Sequence, residues 1–277
     1  MAVSSMFNPA IFLKTLRDAG LLICLAALGM IGFQVLFVWG MLTMGTELLD
    51  FVSKLPFLAK IFEVALGIKV EGEVSLGILF SISFTHGIVL MLSWSVIIAI
   101  ATGVTVGEIE RGTADMLLTL PVSRPEVYVS TTGVWLLAAG MLSLSPLLGM
   151  SIALACFETK EVVSLSQYIP PALNFLALNM SIGALATMVS CFLDRRGVAI
   201  GAIAGIALCS VVLNFIEPFI SGIKQIQFLG LLNYFRPVDV VRTGVWPIGN
   251  IVVLLLLFAI CWTIGLVTYS RRDIPTA

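Results

Sequence analysis

Six unbroken apolar runs, each long enough to cross a bilayer, constrain this chain more than any motif in it. They cover roughly residues 19–44, 78–105, 129–155, 169–193, 197–216 and 250–269. A helix spans the hydrocarbon core with about 20 residues at a rise of about 1.5 Å each. No water reaches backbone N–H and C=O groups in lipid, so a spanning segment must satisfy them as a helix or a closed barrel. Barrel strands would be short and alternating, and these runs are solidly apolar. The expected fold is an all-α integral membrane protein of six transmembrane helices, with residues 1–277 forming a single domain.

Composition agrees. Hydrophobic residues make up 59% of the chain and charged residues only 11%, whereas soluble domains carry about 25% charged. So few charges cannot cover a globule of this size. A net charge of -1 leaves no basic excess for phosphate neutralisation, which argues against nucleic acid as a partner. The cysteines Cys24, Cys156, Cys191, Cys209 and Cys261 are scattered singly, and there is a single histidine. That pattern contains neither a disulfide framework nor metal-ligand spacing. The N-terminal residues do not read as a cleavable signal, because no A-x-A site follows the first apolar run.

An even number of spans puts both termini on one side. On that side lie Lys14, Arg17, Arg111, Arg124, Arg195, Arg196, Arg271 and Arg272, crowded into shorter segments than the basic residues opposite. The positive-inside tendency then predicts a multi-pass protein of the cytoplasmic (inner) membrane with both termini cytoplasmic. Asn8 followed by Pro9 has helix-start chemistry, and an interfacial helix to Asp18 is expected before the first span. The alternative is an ordinary juxtamembrane segment. Of the two long outer loops, 45–77 carries Phe51, Leu55, Leu58, Phe62 and Leu66 at helical spacing, predicting an amphipathic helix. Loop 217–249 either does the same or dips back into the membrane.

The segment between spans two and three carries charges and breakers that spanning does not require. Gly112 interrupts the helix, and Thr113 can cap a new one with Asp115 in its first turn. Pro121 ends that helix, and Ser123-x-x-Glu126 reads as a capping box that starts the third span. The product is a short helix with an apolar side of Met116, Leu117, Leu118 and Leu120. It reads either as a docking plug at the mouth of the bundle or as a plain turn whose leucines rest on the bilayer.

The run Glu110-x-Gly112-Thr113-x5-Thr119-x-Pro121-x-Ser123-Arg124 resembles the permease subunits of ABC-2 type ATP-driven transporters, especially the group associated with multi-copper enzyme maturation. Asn8…Lys14-x2-Arg17-Asp18, Asn233…Pro237-x-Asp239-x2-Arg242 and Arg271-Arg272-Asp273 match as well. The resemblance implies a permease that works as a homodimer with a second copy of this chain, or as a heterodimer, together with two copies of a separate ATPase and an optional periplasmic or other extracytoplasmic accessory protein. The stretch 108–124 would be the coupling helix region, contacting the ATPase through Glu108, Glu110, Arg111, Gly112, Thr113, Asp115, Met116, Leu117, Pro121, Ser123 and Arg124. The chain itself would not be an enzyme. ATP and Mg²⁺ would belong to the partner, with no cofactor or metal on this subunit. Consistently, the sequence has no G-x4-G-K-[ST] run with which to cradle phosphates.

Within the spans, Gly197, Gly201 and Gly205 form a small-residue stripe that admits close helix approach. The residues leave open whether this pairing is internal or between copies, and the resemblance points to the dimer. His86 in span two and Glu217 after span five are the candidate pathway residues. Asn174, Asn179 and Asn214 are expected to join helices. Met41 and Met44 are too easily paired by chance to indicate copper. Two other classes fit the residues less well. An intramembrane enzyme lacks a suitable set of catalytic residues, and an ion-coupled carrier would want mid-span charges that the runs do not hold.

Overall fold

The computed structural model describes residues 6–55, 75–107, 122–159, 162–216, 220 and 225–272. Among them the chain is entirely helical, and six helices are long and apolar enough to cross a membrane. Helix α1 runs Pro9–Ser53 and α2 Leu76–Ser81. A 3-10 turn over Ile82–Thr85 leads into α3, Gly87–Thr105. Helix α4 is Arg124–Cys156, α5 Ile169–Ser190 and α6 Arg196–Ile216. Short 3-10 turns precede α7, Pro237–Thr243, and α8, Ile248–Arg271, closes the bundle.

Helices α3, α4 and α5 pack on one another at the centre. Helix α1 lies along α4, α8 lies along α5, and α6 leans on α3 and α5 from outside. Large apolar side chains such as Leu21, Leu28, Leu208 and Leu256 face outward, as a bilayer solvent permits. Hydroxyls in the interior are satisfied within their own helices: Thr102, Thr131, Thr132, Thr187 and Ser190 each donate to the carbonyl four residues back. That back-bonding keeps polar groups paired where no water is present.

Two expectations change. The interfacial helix before the first span is not a separate element, because Pro9 onward is the first part of a 45-residue α1. No proline interrupts it, and its start is pinned to α4 instead of lying free on a leaflet. The Asn8 amide donates to the Ser130 hydroxyl at 2.8 Å, and Phe12 packs over Gly133. At about 1.5 Å per residue, α1 is roughly 67 Å long and must extend beyond the hydrocarbon. The helix reaches Ser53 and so takes in the start of the loop after the first span; residues 56–74 of the expected amphipathic segment lie outside the described residues.

The second correction concerns span two, which is broken. Ser81, Ser83 and Thr85 each donate to a carbonyl three residues back, at 2.6, 2.7 and 3.0 Å. This tightens the backbone into a 3-10 turn. His86 then leaves the helix and caps α3, its Nδ1 accepting the Ile88 amide at 3.3 Å. Tyr168 stacks over Phe84 and donates to the Gly77 carbonyl at 2.9 Å, holding the break in place.

The described residues of the loop before α8 fold back as short turns against α5 and α6 and end in the short helix α7. Leu231 and Leu232 are buried, the Leu231 amide donates to Ser210, Asn174 donates to the Tyr234 carbonyl, and Phe235 stacks on Phe175.

Candidate functional site

Two hydrogen bonds establish that both described ends of the chain meet at one end of the bundle. Asn8, before α1, bonds to Ser130 near the start of α4, and Arg124, the first residue of α4, donates to the carbonyl of Arg272 just beyond α8. Gly107 and Val122, which flank residues 108–121, lie at this same end. The ends of α3, α5 and α8 and the starts of α1, α4 and α6 therefore gather around the point where that loop leaves and re-enters the bundle.

The loop's return is the capping box read from the sequence. Ser123 accepts the Glu126 amide at 3.4 Å, and the Glu126 carboxylate accepts the Ser123 amide at 3.2 Å. Each bond satisfies a donor that the first helical turn leaves unpaired. On the departing side, Arg196 of α6 donates to the Ala99 carbonyl at 2.9 Å and to the Thr102 hydroxyl at 3.3 Å, inside the last turns of α3. A guanidinium there also complements the negative end of the helix dipole.

A third arginine closes the arrangement. Arg272 donates to the Leu193 carbonyl at 3.0 Å, to the Ser190 carbonyl at 3.4 Å and to the Asp194 carboxylate. It thereby fills the acceptors left open where α5 ends. Cys191 sits beside it, buried, donating to the Thr187 carbonyl.

In the full sequence the segments at the loop end carry eight basic and seven acidic residues, and those at the other end carry seven basic and nine acidic. There the bonds are short-range: Arg242 pairs with Asp239 at 2.7 Å, and Arg236 with Asn233 at 2.9 Å.

The remaining candidates separate. Glu108, Glu110, Arg111, Gly112, Thr113, Asp115, Met116, Leu117, Pro121 and Glu217 lie outside the described residues. His86 is at the opposite end from Arg124. With α3 19 residues long, the imidazole lies about 28 Å from the loop end, near the far boundary of the core. It rests against Phe33 and Phe37 at 4.8 and 6.1 Å. Gly197, Gly201 and Gly205 run along α6 and are exposed, with open space where a Cβ would stand. Asn179 does join helices, donating to Ser143 of α4 at 3.0 Å, whereas the Asn214 side chain makes no hydrogen bond to a described residue.

The chain is matched by a family model across residues 27–275, from the first span to beyond the last. It belongs to the family described as Protein of unknown function (DUF2705). No curated protein matches the chain. Family membership thus extends over all six spans and attaches no chemistry to them.

Sequence reasoning did not single out Arg196, Arg272 and Asp194 as a connected set. The Arg195–Arg196 and Arg271–Arg272 pairs were visible as topology signals. Which member of each turns inward is decided by the carbonyls of helices far away in sequence.

Proposed function

We propose that this chain is the membrane-spanning permease subunit of an ABC-2 type transporter, moving a substrate with ATP hydrolysed by a separate subunit docked on residues 108–124. The single observation behind this reading is the convergence at one end of the bundle. The loop with the resembling motif leaves and re-enters there, both described chain ends meet there, and the basic residues at that end sit in shorter connecting segments than those opposite. By the positive-inside tendency that end faces the cytoplasm, where ATP is. The bare Gly197–Gly201–Gly205 face favours pairing with a second copy over pairing inside the subunit. The sequence lacks a phosphate-cradling loop of its own, so the ATPase is a second chain.

The test is affinity capture of the tagged full-length chain from its host membrane, wild type beside Leu117→Asp. An ATPase subunit is expected with the wild type and not with the variant, while the variant still inserts as a six-span protein. Retention of the ATPase by the variant, or absence of any nucleotide-binding partner from the wild type, overturns the reading.

A further inference from the structure

The short connection between α5 and α6, residues 191–195, touches both roots of the 108–121 loop through two arginines. Arg196, immediately after it, is bonded to Ala99 and Thr102 at the root leaving α3. Arg272 grips Ser190, Leu193 and Asp194 of the connection, and its own carbonyl is held by Arg124 at the root entering α4. These bonds carry charged donors, which makes them about twice as strong as neutral ones. Cross-helix ties at the opposite end include the neutral bonds of Tyr168 to Gly77, Asn174 to Tyr234, and the Leu231 amide to Ser210, whereas both roots of the loop are held by guanidinium donors.

We propose that Arg196 and Arg272 are positioning residues that make the two loop roots and the α5–α6 connection move as one body, so that a displacement of the loop is delivered to α6. The linkage is a property of the bundle alone; its use in transport rests on the permease reading. Packing by itself would let each helix end fray independently, since free energies of local opening differ from segment to segment. A series of bonds, Arg124 to Arg272, Arg272 to the 190–194 segment, and Arg196 at the end of that connection to Ala99 and Thr102, instead ties opening at one root to opening at the other.

Hydrogen–deuterium exchange of the purified full-length chain in lipid nanodiscs tests this without any ATPase. Arg272→Gln is expected to raise exchange about tenfold across 191–195. It should also raise exchange in the 99–107 segment, which Arg272 does not touch. Arg196→Gln should reciprocally loosen Ser123–Glu126, Arg196→Lys should restore much of the protection, and the exposed neighbour variant Arg271→Gln should leave both roots unchanged. If Arg272→Gln fails to fold, Asp194→Asn removes only the exposed half of the ion pair and must show the same remote effect at smaller size. Loosening confined to the residues each arginine contacts overturns the proposal. That result would leave the ATPase capture experiment unaffected, and loss of the ATPase reading would leave this one standing.

Discussion

Gly149 of α4 lies so close to Gln34 of α1 that a methyl group on the glycine would stand 2.6 Å from the Gln34 Cβ and 2.8 Å from the Ile31 carbonyl oxygen. The two helices run side by side from Asn8 and Ser130 upward, and this contact lets their backbones approach. Close approach drives association in lipid, where burying apolar surface gains nothing. Gln34 is fully buried here, its amide turned toward the Met150 sulfur at 4.0 Å.

Gly149→Ala should therefore destabilise the bundle by about 1–3 kcal/mol, the usual cost of overpacking. Gly140→Ala, on the same helix with open space around it, should be neutral or slightly stabilising, because alanine is the better helix former. Thermal unfolding of the two variants in the same detergent checks this. Equal melting temperatures would rule the contact out as a determinant.

The cap at the break in span two depends on one ring nitrogen. His86→Ala should destabilise by about 1 kcal/mol and speed exchange of the Ile88 amide, while His86→Asn, which can still accept that bond, should lose little. If alanine and asparagine behave alike, the side chain is not capping α3.

Thiol chemistry should discriminate Cys156 from Cys191. Cys156 is exposed at the end of α4, whereas Cys191 is 1% exposed. A membrane-impermeant maleimide should label Cys156 readily at neutral pH and leave Cys191 unmodified until the protein is unfolded. Mass spectrometry of the labelled peptides gives the readout.

On the proposed pairing of two copies through α6, Gly201→Leu should shift the chain from dimer toward monomer by at least about tenfold in dissociation constant, since a bulky side chain prevents close helix approach. Ile206→Ala, exposed on α6 but turned well away from the glycine stripe, should shift it far less. Single-molecule counting in nanodiscs at graded protein-to-lipid ratios measures both. An unchanged dimer with Gly201→Leu would move the interface elsewhere.

The six spans were legible because crossing a bilayer imposes a local rule: about 20 apolar residues, every backbone group satisfied within the segment. The capping box at Ser123 and Glu126 was legible for the same reason, since both halves lie within one turn. The break at Ser81–His86 was not, because the apolar run continues through it and the choice of a 3-10 turn draws on Tyr168 from another helix. The early start of α1 was missed because its anchor, Ser130, lies 122 residues away.

By itself the sequence determined that this chain lives in a membrane, crosses it six times, brings its ends to one side, and re-enters the third span through a capped turn. Tertiary structure decided which arginine of each pair faces inward, which glycines are covered by a neighbouring helix and which stay bare. Those outcomes depend on carbonyls and rings supplied by helices distant in sequence. A periodicity read along one segment carries no record of the surface that will meet it.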